Sequence, residues 1–301
     1  MESLRLFIRL TRPIFLLGAA MLYALGVGIA HYLGARVDLL VYLLGQAWVS
    51  LLQLSAQYLN EYFNAPADQN NPQRTFLTGG SGAIGPGKLD RQVALMAAYT
   101  CLAVLASLTV LIIARIKLGA PVYLIMALAF LGALFYSTPP IKLEGTGYGE
   151  LVTSVLLAFM VPAFAFLLQE GELHRLVAMS AFPLTAMHLA MLLAFELPDY
   201  ATDLKYGKRT LLVRIGWQNG MLMHNLLILS AFLLLGAASL FGYPSFAMWS
   251  GLLALPIGLV QIWQMRRVAD GAKPNWNALT VIALTSFSLM VYLITFSFWI
   301  N

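Results

Sequence analysis

Two short polar stretches of this 301-residue chain carry side chains whose types and spacing suit chemistry. The first sets Asn60, Asn64 and Asp68 four residues apart, and the second sets Asp199 and Asp203 at the same spacing. On a helix, side chains four residues apart lie on one face. Because carboxylate and amide oxygens are ligands for hard divalent cations, we predict that all five residues are metal ligands in one catalytic site.

Basic residues near both stretches indicate an anionic substrate. Ammonium and guanidinium groups donate hydrogen bonds to phosphate oxygens, so a metal site with cations beside it is typical of a bound diphosphate. Five side chains are candidate diphosphate ligands: Arg12, Arg74, Lys142, Lys208 and Arg209.

Three more side chains are assigned to an acceptor pocket beside this site, namely Tyr136, His188 and Glu196. Glu196 ends an apolar segment, where a carboxyl group is costly unless it is paired or functional. His188 lies inside the same segment. The other histidines show no ligand spacing, and we interpret them as structural.

A glycine-rich segment follows the first stretch, and Gly82 to Lys88 has the spacing of a P-loop. Leu89 stands where a P-loop has Ser or Thr, and no strand precedes the glycines. We therefore expect a flexible loop over the site instead of a P-loop. Pro66, inside the first stretch, is expected to end or kink its helix, which would leave Asp68 on extended chain.

The elements that position these residues are membrane spans. The chain is 60% hydrophobic and 10% charged, with a mean hydropathy of +0.79, whereas a soluble domain is about one quarter charged. A spanning helix needs about 20 apolar residues. We expect one all-α transmembrane domain over residues 1–301, with spans near 13–33, 39–60, 92–113, 119–137, 149–168, 176–196, 219–240, 246–264 and 278–299.

Charge placement predicts the orientation of these spans. With a cytoplasmic N-terminus, 14 of the 18 Lys and Arg residues fall on the cytoplasmic side, and four fall outside. This asymmetry follows the positive-inside rule and puts both polar stretches in the cytoplasm. The net charge of +5 arises in these loops, so we do not expect nucleic acid as a partner. The first apolar run is too long for a signal peptide, and we expect it to be retained.

The two stretches also predict an internal repeat. Asn64 and Asp199 are 135 residues apart (199 − 64), as are Asp68 and Asp203 (203 − 68). The stretches end the second and sixth spans, which predicts two four-helix halves plus a ninth helix. Membrane folds with such repeats often place the binding site at the interface of the halves.

The quoted motifs resemble those of the UbiA-type intramembrane prenyltransferases. That superfamily has an NxxxDxxxD motif after helix 2, a DxxxD motif after helix 6, and nine helices around a lateral opening to lipid. The likeness extends to the Tyr-x-x-Pro-Pro-x-Lys-Leu loop at 136–143, the Gly-x-Gly-Glu at 147–150 and the Gly-Lys-Arg-Thr at 207–210. One position departs from the pattern, since Asn64 stands where the family usually has aspartate.

The resemblance implies Mg²⁺-dependent transfer of a polyprenyl group from its diphosphate to a small aromatic acceptor. The segments after the first motif are closer to the naphthoate branch, so 1,4-dihydroxy-2-naphthoate of menaquinone synthesis is the favoured acceptor. The alternatives are 4-hydroxybenzoate, homogentisate, chlorophyllide-like and glyceryl phosphate acceptors. The resemblance also implies the cell membrane of a bacterium or archaeon, with the lipid bilayer holding the prenyl tail.

Two hypotheses from other functional classes stay open. Intramembrane carboxylates with a repeat also suit a cation-coupled transporter, although carriers usually hold such charges near the midplane. A non-catalytic relative that binds lipid would keep the fold and lose the turnover, and Asn64 is the position that would mark it.

Overall fold

The computed structural model describes residues 2–301, and this part of the chain folds as a bundle of α-helices. Most boundaries lie at capping residues or prolines. Asp38 accepts hydrogen bonds from the amides of Leu40 and Val41 at the start of the second span, and Asp90 accepts one from Gln92 at the third. Such caps satisfy amides that the first turn leaves free.

The helices are α1 (Glu2–Thr11), α2 (Pro13–Tyr32), α3 (Leu39–Gln69), α4 (Arg91–Arg115), α5 (Ala120–Ser137), α6 (Gly149–Ser154), α7 (Val161–Glu170), α8 (Arg175–Glu196), α9 (Tyr200–Lys205), α10 (Leu211–Ile215), α11 (Trp217–Leu240), α12 (Ser245–Leu252), α13 (Leu255–Ala269) and α14 (Trp276–Ile300). A π-helical turn, Val155–Met160, joins α6 to α7.

Within residues 2–301, nine helical segments are long and apolar enough to cross a membrane, which confirms the expected number of spans. The chain is therefore an integral membrane protein. The segments are Glu2–Tyr32, Leu39–Gln69, Arg91–Arg115, Ala120–Ser137, Gly149–Glu170, Arg175–Glu196, Trp217–Leu240, Ser245–Ala269 and Trp276–Ile300.

The structure extends one local expectation and corrects another. The expected first span is α2, and α1 continues it toward the N-terminus across a break at Arg12, which has the left-handed conformation (φ 47°). Pro66 does not end α3, which continues to Gln69 and keeps Asp68 helical. A proline removes only one hydrogen bond, and so near the end of the helix the remaining turn still closes, with Asn70 Nδ2 donating to Pro66 O at 2.8 Å.

In the bundle, α2 packs against α7 and α14, α3 packs against α4, and α8 packs against α11. Tyr23, Phe164 and Phe166 are fully buried there. Large apolar side chains such as Leu233 and Leu240 are exposed on the outer surface, where a lipid-facing helix presents them. The polar loops 70–90, 138–148 and 197–216 meet at one end of the bundle through the contacts described next.

Candidate active site

Asp199 connects the two polar stretches. Asn71 donates Nδ2 to its Oδ1 at 2.6 Å, and the amide of Gly79 donates to its Oδ2 at 3.1 Å. Both donors belong to the loop that follows the first stretch, so that loop orients the carboxylate of the second. Burial raises the pKa of Asp199 to about 6, although the bond from Asn71 opposes the rise.

Asp203 and Asp68 complete the acidic group. Asp203 is buried on α9, and burial raises its pKa to about 7, with Lys208 opposing the rise and Asp199 adding to it. Asp68 lies at the end of α3 under the glycine-rich loop, because a Cβ on Gly80 would come within 2.5 Å of its Oδ2. Asp199 and Lys208 act on Asp68 electrostatically, so the three carboxyl groups and the lysine form one charged group.

Lys208 is the cation inside this group. Its Nζ lies 3.3 Å from Glu144 Oε2. Burial would lower the pKa of Lys208, but Glu144 and Asp203 outweigh burial and raise it above its usual value. The lysine therefore stays protonated.

Asn60 and Asn64 contact Glu144, a residue that was not predicted from the sequence. Both donate Nδ2 to Glu144 Oε2, at 2.9 and 2.7 Å, and Asn60 also donates to Ser137 Oγ at 2.9 Å. An ionised carboxylate only accepts hydrogen bonds. The amide nitrogens are thus committed to Glu144, and the carbonyl oxygens are the atoms left for a cation.

Arg12 and Arg74 hold the glycine-rich loop. Arg74 donates Nε to Gly80 O at 3.3 Å and Nη2 to Ser81 O, and burial lowers the pKa of its guanidinium. Arg12 donates to Leu77 O, and its Nη1 lies 3.7 Å from Glu61 Oε1. The loop that we expected to be flexible is therefore bonded over the site.

Two expected diphosphate ligands stay outside this group. Residues 2–301 contain two ion pairs within 4 Å, Arg12–Glu61 and Lys208–Glu144, and neither Lys142 nor Arg209 takes part. Lys142 is exposed, with its Nζ 5.7 Å from the centroid of the Phe63 ring, and Arg209 is exposed.

A cavity of about 300 Å³ lies between α2, α3, α5, α8 and the π-helical turn. Arg12 and Asn60 line it at the polar side, and most of its wall is apolar. Tyr136 and His188 line the cavity as well. His188 Nδ1 is hydrogen-bonded to Ser154 Oγ at 2.9 Å.

Glu196 does not line this cavity. Its Oε2 accepts from the Leu212 amide at 3.1 Å. This hydrogen bond gives the acidic group at the end of α8 a partner, and an acidic group there is costly without one. The structure thus brings Tyr136 and His188 to the cavity and leaves Glu196 beside it.

Two glutamines of α3 also line the cavity, one turn apart. Gln53 donates Nε2 to Phe15 O at 2.9 Å, so its Oε1 is the free end of the amide. The Oε1 atoms of Gln53 and Gln57 are both buried without a hydrogen-bond partner. A buried acceptor without a donor is costly, which suits a site that a substrate hydroxyl completes.

The donor set fits Mg²⁺ by its chemistry. In the described part of the chain, no three His, Cys, Asp or Glu side chains are grouped so as to hold a metal by themselves. Mg²⁺ in phosphate-binding sites usually takes one or two carboxylates and completes its shell with water and substrate phosphate. Asp68, Asp199 and Asp203 supply such oxygens, and the burial that raises the pKa of Asp199 and Asp203 is a cost that a cation relieves.

Three residues of this site escaped the sequence reading: Glu61, Asn71 and Glu144. Glu61 belongs to the first stretch, and its carboxylate accepts from the amide and the hydroxyl of Ser81, both at 2.6 Å. Asn71 lies two residues beyond the end of α3. Glu144 is 80 residues from Asn64, and its only sequence signal is a carboxyl group beside the Pro-Pro-x-Lys turn.

Comparison with known proteins agrees with this architecture. The model of the UbiA prenyltransferase family matches residues 13–287. The 1,4-dihydroxy-2-naphthoate octaprenyltransferase of Escherichia coli (strain K12) is 27% identical over 251 residues, which are 81% of this chain and 80% of that protein.

Solved structures share the fold at low identity. A digeranylgeranylglyceryl phosphate synthase is 15% identical, with a TM-score of 0.64 over 100% of this chain and 98% of that one. A UbiA homologue from Archaeoglobus fulgidus, bound to DMAPP and Mg²⁺, is 15% identical, with a TM-score of 0.61 over 96% and 98% of the two chains. An apo UbiA homologue from Aeropyrum pernix K1 gives 0.60 at 15% identity, over 89% and 96%.

Proposed function

This chain belongs to the UbiA prenyltransferase family and is a prenyltransferase, and we propose that it transfers a polyprenyl group from polyprenyl diphosphate to 1,4-dihydroxy-2-naphthoate. The observation that carries the proposal is that a charged region and an apolar cavity lie side by side. Asn60 lines an apolar cavity between membrane spans, and its amide is bonded to Glu144, the carboxylate that is paired with Lys208. A substrate with an anionic head and an isoprenoid tail matches both.

The polar group receives the diphosphate. Asp68, Asp199 and Asp203, with the amide oxygens of Asn60 and Asn64, would hold Mg²⁺, which would supply positive charge beside the phosphate oxygens. The ammonium group of Lys208 donates to the same oxygens and remains protonated because of Glu144 and Asp203. Fixed donors of this kind stabilise the negative charge that grows on a leaving group.

The reaction is a substitution at the first carbon of the prenyl chain. The C1–O bond breaks, its electron pair leaves with the diphosphate, and the allylic cation is attacked by a carbon of the electron-rich ring. The new C–C bond replaces a substituent of that ring carbon, which departs without its bonding electrons. The apolar wall around His188 and Tyr136 excludes water, which would otherwise capture the cation.

The acceptor is proposed from two observations. The relative in E. coli is named for 1,4-dihydroxy-2-naphthoate, and the cavity presents buried acceptor oxygens on Gln53 and Gln57 that suit ring hydroxyls. We place the N-terminus and the site on the cytoplasmic side of the cell membrane, on the charge asymmetry of the loops.

Mass spectrometry of the products tests this function. The purified protein in lipid is incubated with Mg²⁺, polyprenyl diphosphates of several lengths, and a pool of naphthoate, hydroxybenzoate and homogentisate acceptors. We expect prenylated naphthoate, whose mass also shows whether the ring loses a proton or its carboxyl group. The product of another acceptor would overturn the naphthoate assignment. Absence of any product, beside an active E. coli relative, would overturn the proposed activity.

A further inference from the structure

Glu144 is a buried carboxylate that lies opposite the divergent position of the first motif. It is 4% exposed, on the single turn Leu143–Gly145 that follows the Pro-Pro-x-Lys segment. Its Oε2 accepts from Asn64 at 2.7 Å and from Asn60 at 2.9 Å, and it lies 3.3 Å from Lys208 Nζ. One oxygen atom thus connects two turns of α3 with Lys208, which follows the second motif.

This contact determines what position 64 can be. An aspartate there would bring a carboxylate oxygen to hydrogen-bonding distance of Glu144 inside the protein. Two buried carboxylates so close repel each other, and neither has a hydrogen atom to donate, so the contact that Asn64 makes would be lost. An amide avoids the conflict because its nitrogen donates to Glu144 while its oxygen stays free.

We propose that Glu144 and Asn64 are a matched pair, in which the negative charge usual at the middle of the motif has moved to Glu144. Glu144 is a positioning residue in this arrangement. It turns the oxygens of Asn60 and Asn64 away from itself and holds the ammonium group of Lys208. This inference rests on the proposed function for its catalytic consequence, whereas the pairing itself rests on the contacts alone.

The pairing predicts reciprocal rescue. Asn64→Asp places two carboxylates together, and Glu144→Gln removes the charge that Asn60, Asn64 and Lys208 share. The double variant restores one carboxylate and one amide with their positions exchanged, so the new amide at position 144 can donate to the new carboxylate at position 64. We expect each single variant to lower turnover about 10- to 100-fold, the range for the loss of a partner that orients metal ligands. The double variant should recover most of that loss.

A double-mutant cycle of thermal stability, measured without metal, tests the pairing independently of catalysis. The unfolding midpoints of the four proteins are measured in EDTA, and we expect each single variant to fall by several degrees and the double variant to rise again. The matched control is Asn219→Asp with Glu170→Gln, both exposed and on separate helices, whose effects should simply add.

The second measurement is the Mg²⁺ concentration that gives half-maximal activity. We expect it to rise in both single variants and to return toward the native value in the double variant. Additive losses in the EDTA cycle, or an Asn64→Asp variant with native stability and turnover, would overturn the inference. If the native protein gave no product, only the proposed function would fail, because the EDTA cycle would still decide the pairing.

Discussion

Asn71 and Asp199 are 128 residues apart in sequence, and the amide of the first donates to the carboxylate of the second at 2.6 Å. The bond ties the loop after α3 to the start of α9. The bond therefore fixes the Asp199 carboxylate of the second motif relative to the loop after the first. Asn71 is not itself one of the predicted metal ligands.

Asn71→Ala should lower turnover about tenfold while the protein remains inserted and folded, because one hydrogen bond to a charged group contributes about 1.5–3 kcal/mol. The matched control is Gln73→Ala, at an exposed position of the same loop. Steady-state kinetics with prenyl diphosphate would measure the difference. Equal activity of the two variants would contradict a role for the bond.

Asp203→Asn should lower turnover about 100-fold or more, since a ligand of a catalytic cation stabilises the leaving group by several kcal/mol. Higher Mg²⁺ should recover part of the activity. Asp270→Asn, at an exposed position after α13, serves as the control and should behave as the native protein. A native Mg²⁺ titration in Asp203→Asn would refute its assignment as a ligand.

Gly80→Ala should disturb Asp68, because the added Cβ would lie 2.5 Å from its Oδ2 at a φ of 74°. Gly87→Ala is the matched control, with a φ of 71° and open space around the added atom. Both carry the strain of left-handed backbone, about 1–2 kcal/mol, so their difference isolates the contact with Asp68. We expect Gly80→Ala to lose turnover and Gly87→Ala to keep most of it, as measured by product formation.

Gln57→Leu should raise the KM for the aromatic acceptor about tenfold, equivalent to the loss of about 1.4 kcal/mol of binding, and leave the KM for prenyl diphosphate unchanged. The buried Oε1 of Gln57 lines the cavity without a partner. Gln46→Leu removes a similar unpartnered oxygen elsewhere on α3 and should change neither value. A rise in the KM of prenyl diphosphate alone would assign Gln57 to the tail instead.

The sequence was enough to predict the parts of the molecule that depend on local composition. Apolar runs of about 20 residues specify spans, and the spacing of Asp199 and Asp203 survives as a backbone hydrogen bond from the amide of Asp203 to Asp199 O at 2.8 Å. Helix breaks were harder to predict, since Pro66 is accommodated within α3 while Arg12, an ordinary residue by composition, interrupts the first span.

The contacts between motifs lay beyond the sequence because they depend on tertiary packing. Lys142, Lys208 and Arg209 are equivalent as cations in a loop, yet only Lys208 is enclosed by carboxylates. Asn64 could be recognised as a departure from the motif. The reason for the departure could not be predicted, because it is the contact of Asn64 with Glu144, which comes from another loop.

The apolar cavity lies among membrane spans whose outer surface is covered by exposed leucines. A prenyl diphosphate, the proposed donor, would then reach the protein by two-dimensional diffusion within one leaflet, and its relevant concentration would be a mole fraction in the bilayer. Adding inert lipid at constant bulk substrate would dilute that surface and slow the protein. On the proposed function, the bilayer would thus be the reservoir of donor that sets the rate.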